Sequence, residues 1–168
     1  MPTTHTRIRR LTRLALLCAC GSALSALESL LPPLVPLPGV RVGLSNAATL
    51  LALTQGLPAA LCVAAFKALT ALLLRGGTAA VMSLCGSISA VLVMHLLRRI
   101  PAAHISPIGI GIAGATAHNL IQLILAAFLF TPATAMVCAP PMLGIGILTG
   151  SLIGFTANIL TRTLHLDE

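Results

Sequence analysis

Long apolar stretches alternate with short polar or proline-rich breaks along the chain. Six such stretches predict helices: Arg13–Leu31, Val42–Gln55, Leu57–Leu74, Thr78–Leu97, Ile108–Phe130 and Met142–Thr161. About 20 residues of helix cross the roughly 30 Å of bilayer hydrocarbon, and all but the second stretch approach that length. The second has 14 residues, about 21 Å of helix, so it is short or is continued by its neighbours. Lipid cannot satisfy free peptide groups, which leaves helix bundles and closed barrels, and no ten-residue alternation suggests a barrel. The expected fold is an all-α integral membrane bundle of six transmembrane helices. It forms one domain over residues 1–168, with 1–12 as a basic N-terminal extension.

Composition narrows the class further. Hydrophobic residues make up 57% and charged residues 8% of the 168, against about 45–50% and about 25% in soluble domains. Ten basic and three acidic side chains cannot cover a globule in water. A soluble enzyme, a disordered segment and a disulfide scaffold are excluded. Cys18, Cys20, Cys62, Cys85 and Cys138 show no metal spacing and read as small hydrophobes. Trp and Tyr are absent, so the usual aromatic belts are missing.

Charge sets the expected orientation. Arg7, Arg9, Arg10 and Arg13 precede the first span and place the N-terminus in the cytoplasm. Six spans also put Arg98, Arg99 and Arg162 inside, leaving Arg41 and Arg75 outside. Deleting the short second span would move Arg98 and Arg99 outside, so six spans with both termini cytoplasmic fit better. The net charge of +7 then reflects topology and contact with anionic headgroups, with no call for nucleic acid. A basic start followed by Leu14–Leu17 also fits a secretory signal. The apolar character that runs on to Leu31 is too long for a cleaved core and favours a retained span.

Pro32, Pro33, Pro36 and Pro38 forbid helix between the first two spans. That segment is either a stiff linker or a lid over an outward cavity. Ala15, Ala19 and Ala23 recur every four residues, as do Gly146, Gly150 and Gly154. Small residues at this interval let helices approach closely. Internal packing explains both stripes, and the alanine stripe would also suit a partner helix. Gly109, Gly111 and Gly114 match the dinucleotide spacing GxGxxG but lack a preceding strand and the later acid.

Lys67 sits near the centre of the third span, where a cation costs about 2.5–3.5 kcal/mol. It is expected to face the bundle interior, either paired with Glu28 or backbone carbonyls, or contacting a ligand. His118, Asn119 and Gln122 lie at similar depth. At 100° per residue, Gly111, Ala115, His118 and Gln122 share one helix face, with Asn119 at its margin. The small residues there should leave room beside the polar ones, as interhelical glue or as a binding strip. Glu28, Arg41, Asn46 and Arg75 are placed near the outer span ends. With Lys67 they make a net cationic outer half suited to an anionic or polar solute, unless Arg41 and Arg75 only anchor at headgroups.

Catalytic machinery is missing from the pattern. No GxxxxGK[ST] loop occurs, and the acids are too few for metal-assisted diphosphate chemistry. The chain is expected not to be an enzyme and to need no cofactor or metal.

Three stretches carry a family resemblance: Pro38 to Asn46 (PGVRVGLSN), Gly86 to Met94, and Gly114 to Gln122 (GATAHNLIQ). They resemble the bacterial Gx transporter family, whose members often bear the name heptaprenyl diphosphate synthase component I. That family is similar to the six-helix S components of energy-coupling factor (ECF) transporters. The resemblance implies a substrate-binding subunit in the bacterial cytoplasmic membrane. It would dock on a membrane coupling subunit and ATPases through a small-residue stripe, here Ala15, Ala19 and Ala23. It also assigns Arg41, Asn46, His118, Asn119 and Gln122 to signature positions, with Lys67 where arginine is frequent. Lysine keeps the charge but gives up bidentate anion binding. The synthase name leaves a second expectation, a non-catalytic scaffold for prenyl diphosphate or quinone synthesis or for flavin-linked electron transfer.

Overall fold

A computed structural model describes residues 4–30, 43–100 and 105–164. Six α-helices form: α1 (Thr4–Leu30), α2 (Asn46–Ala52), α3 (Leu57–Arg75), α4 (Gly77–Arg98), α5 (Pro107–Leu129) and α6 (Pro132–Leu164). A 3-10 turn, Leu53–Gln55, extends α2. No strand occurs among the described residues.

Five of these helices are long and apolar enough to cross a bilayer, where six were expected. The second stretch is the exception. Its ten helical residues from Asn46 to Gln55 rise only about 15 Å, half the hydrocarbon depth. Two other boundaries move outward. α1 begins at Thr4, because Arg7 to Arg13 are sound helix formers that hydropathy alone overlooks. α6 begins at Pro132 and carries Pro140 and Pro141 in its interior. Membrane helices tolerate proline where neighbours re-satisfy the freed carbonyls.

Neighbour relations follow from close contacts. Cys18 meets Cys62, and Gly21 lies against Val63 and Lys67, so α1 and α3 run parallel. The end of α1 and the start of α3 therefore lie at opposite ends of the bundle, and α2 packs against both helices. Gly86 with His118 and Met94 with Gly114 set α4 antiparallel to α5. Helices pack in the sequence α1, α3, α4, α5, α6, while α2 touches all five.

Glycine makes the α5–α6 contact possible. A Cβ on Gly150 would lie 2.5 Å from the Cα of Ile112, and one on Gly154 would lie 2.5 Å from the Cα of Ile108. Gly111 faces the backbones of Gly150 and Gly154. The GxGxxG spacing thus serves helix packing, with Gly114 filled by the Met94 side chain. Gly76 alone links α3 to α4, and its φ of 87° is a conformation other residues rarely take.

Large apolar side chains cover the outside, among them Leu73, Phe128, Val137 and Leu148. This is the surface that lipid requires and water does not. Two apolar cores lie within. One gathers Leu50, Leu53, Val63, Met94, Ile110 and Ala157, the other Met82, Leu123, Ala126, Cys138 and Met142. The protein is a multi-pass membrane helix bundle.

Candidate functional site

Buried polar residues occupy the layer between the two cores. Glu28, Ser45, Asn46, Thr49, Lys67, Ser87, His118, Asn119 and Gln122 are all buried, and Lys67 is 1% exposed. So large a polar group removed from solvent must find internal partners or something to bind.

The start of α2 organises it. Gly43 has a φ of 82°, and the chain enters the helix through turns at Leu44 and Ser45. Non-helical backbone at this depth needs local hydrogen-bond acceptors. Gly43 supplies a carbonyl to the Asn46 amide at 2.9 Å. The Ser45 amide donates to Glu28 Oε1 at 3.1 Å, tying this turn to α1. Glu28 thereby holds backbone, although Lys67 and Arg75 are both near enough to act on its charge.

Lys67 reaches the same turn from α3. Its Nζ donates to Asn46 Oδ1 at 2.6 Å and to Thr49 Oγ1 at 3.4 Å. Asn46 and Thr49 lie three residues apart and therefore share a face of α2. Thr49 is the partner that sequence reasoning missed, because one threonine in an apolar run looks ordinary. Its spacing from Asn46 was the available signal. Asn46 itself was expected near an outer span end. It lies at the level of Lys67 instead, because α2 starts halfway through the bundle.

His118 meets this turn from the other side. A Cβ on Gly43 would lie 3.0 Å from Asn46 Nδ2 and 3.4 Å from His118 Cδ2, which places both side chains around one glycine. The His118 ring also rests on Gly86 of α4, where a Cβ would come within 2.8 Å of it. Lys67, Asn46 and His118 therefore converge, from α3, α2 and α5, on the Gly43–Asn46 turn.

Asn119 and Gln122 are also buried on α5, one residue and about one turn beyond His118. Asn119 Nδ2 donates to the Met142 carbonyl at 2.8 Å and occupies the notch left by Gly146. That amide joins α5 to α6 immediately after Pro140 and Pro141. The room expected beside Gly111 is not open, since the α6 backbone fills it. Arg75 is half-buried at the end of α3, and Arg41 lies outside the described residues. Ala15, Ala19 and Ala23 are exposed along the outer face of α1. Ala15 and Ala19 line a groove of about 390 Å³ with Leu14, Cys62 and Phe66.

Among the described residues, four buried polar atoms of this layer have no hydrogen-bond partner: Asn46 Nδ2, Ser87 Oγ, His118 Nδ1 and Asn119 Oδ1. Between them they offer a donor, an acceptor and two groups able to do either. Asn46 Nδ2 lies at the turn on the amide that binds the Lys67 ammonium, whereas His118 Nδ1 faces Gly86 and the Asn119 amide faces α6.

Comparison with known proteins identifies a family. A family model described as heptaprenyl diphosphate synthase component I covers residues 17–160. No curated protein matches the chain. No solved structure matches it.

Proposed function

We propose a solute-binding role from one premise: the chain belongs to the heptaprenyl diphosphate synthase component I family, the Gx transporters. In this reading it is the substrate-binding membrane subunit of a transporter, similar to an ECF S component, in the bacterial cytoplasmic membrane. Six traverses put both termini in the cytoplasm, with the short α2 stretch counted as the second. The solute is small and polar or anionic, and separate ATPases drive its uptake through a membrane coupling subunit. The chain itself catalyses no reaction.

One observation carries this reading. Lys67, Asn46 and His118 meet at a non-helical turn within the bundle, beside buried polar atoms that lack partners. Broken helices at mid-depth are where transporters commonly hold their solutes, because freed backbone and polar side chains are tolerated only around a binding space. The exposed Ala15–Ala23 face supports docking on α1, since internal packing does not consume it.

The test is a thermal-stabilisation screen of purified protein against small anions, amides and vitamins. At least one solute should raise the unfolding temperature, and His118→Ala and Lys67→Ala should abolish the rise. The family's name favours a second reading, a non-catalytic membrane partner of a prenyl diphosphate synthase. Affinity purification in mild detergent separates them: recovery of ATPases supports uptake, and recovery of a soluble prenyl synthase or flavoprotein supports the scaffold.

A further inference from the structure

A second hollow lies at the opposite end of α2 from the polar turn. It has a volume of about 360 Å³ and is lined by Leu50, Leu51 and Thr54 of the α2 region, Leu97, Arg98 and Ile100 at the end of α4, Ile105, Ser106, Pro107 and Ile110 at the start of α5, and Ala157 of α6. That volume is within the range of small-molecule sites, about 300–1,000 Å³. Leu50, Ile110 and Ala157 are buried and form an apolar floor. Arg98, Ile100, Ser106 and Pro107 are exposed and form the rim.

Floor and rim ask for different chemistry. Water gains little on an apolar floor, whereas hydrocarbon gains by covering it. At the rim, the Arg98 guanidinium presents a planar fork suited to phosphate. The first turn of α5 adds partial positive charge beside it. Ser106 Oγ is already engaged, accepting from the Gly109 amide at 3.2 Å. Acids in the sequence are confined to Glu28, Asp167 and Glu168. Glu28 holds the Ser45 amide at the polar turn, and the other two lie outside the described residues. The hollow also sits where long helices end, at the level of bilayer headgroups, so a bilayer lipid can place tail and head together.

We propose that this hollow is a binding site for one anionic phospholipid, its acyl chain on Leu50, Ile110 and Ala157 and its phosphate on Arg98. The site is separate from the polar turn and stands whether or not that turn binds a solute. Occupancy wedges a lipid between the ends of α2, α4 and α5, so it holds α2 in place from below.

Native mass spectrometry of the detergent-purified chain tests this, with phosphatidylglycerol and phosphatidylcholine of identical chains and with inorganic phosphate. Phosphatidylglycerol should bind at least about fivefold tighter than phosphatidylcholine, the contribution of one well-placed arginine. Arg98→Gln should erase that preference, weakening phosphatidylglycerol at least about fivefold more than phosphatidylcholine, whose phosphate Arg98 also meets, while Arg99→Gln keeps it. Ala157→Leu, or Ile110→Phe if the first fails to fold, should weaken both lipids by filling the floor. Equal affinity for the two lipids would overturn the proposal. So would equal effects of Arg98→Gln and Arg99→Gln, which indicate diffuse surface charge. Competition by free phosphate would show an ion site instead, and lipid binding indifferent to the filled floor would place the tail elsewhere.

Discussion

Lys67 Nζ donates to Asn46 Oδ1 at 2.6 Å, and this bond fastens the middle of α3 to the first turn of α2. α2 is too short to cross a membrane alone, so its position depends on such contacts. Both partners are about 1% exposed, where a hydrogen bond to a charged group is worth about 1.5–3 kcal/mol.

Lys67→Met should therefore destabilise the bundle by about 1.5–3 kcal/mol, since it strips Asn46 of its charged donor and removes one of the two cations that act on Glu28. Glu28→Gln in the same chain should recover part of the loss. Chemical unfolding in detergent would give the two single changes and the pair. Strict additivity would show that the two charges do not communicate.

Glycines should divide by what surrounds them. Gly150→Ala and Gly154→Ala drive a methyl into the backbone of α5 and should each cost at least about 1–3 kcal/mol. Gly144→Ala meets nothing within 4 Å and should gain up to about 1 kcal/mol from the helix preference of alanine. Thermal unfolding midpoints separate these outcomes, and equal effects at Gly144 and Gly150 would contradict the packing described.

Asn119→Ala should lower stability by about 0.6–1.7 kcal/mol, the range for interhelical side-chain bonds in membranes. The loss comes from the bond to Met142, which steadies α6 just beyond Pro140 and Pro141. Unchanged unfolding would show that the prolines need no such support.

Gly86→Ala tests the His118 pocket without touching a polar atom. The new methyl meets the imidazole at 2.8 Å, so the ring must turn. Solute affinity should fall at least about tenfold, or ~1.4 kcal/mol, while the helical circular dichroism signal is retained. Undiminished affinity would remove His118 from the site.

Much of this organisation is legible in the sequence. Expected spans 57–74, 78–97 and 108–130 fall within one residue of α3, α4 and α5 at either end, because hydropathy and flanking Gly or Pro mark those ends plainly. The same measure fails for α1 and α6, where helix continues past the apolar stretch through arginines or across two prolines. Lys67, His118, Asn119 and Gln122 stand out because charge and amides at depth are costly. Their partners do not stand out. The role of Thr49, the engagement of Glu28 by a backbone amide, and the fit of His118 on Gly86 depend on where α2 begins, and no local pattern fixes that. The proline-rich stretch from Pro32 to Pro38, expected as linker or lid, lies outside the described residues.

The central claim is that the turn at Gly43–Asn46 and the side chains around it hold a solute. Equilibrium dialysis of the chain in lipid nanodiscs, with the solute that best raises the unfolding temperature, measures this directly. The account predicts saturable binding at one site per chain, weakened at least about tenfold, or ~1.4 kcal/mol, by His118→Ala and by Asn46→Ala in folded protein. Binding that both variants retain in full would contradict it.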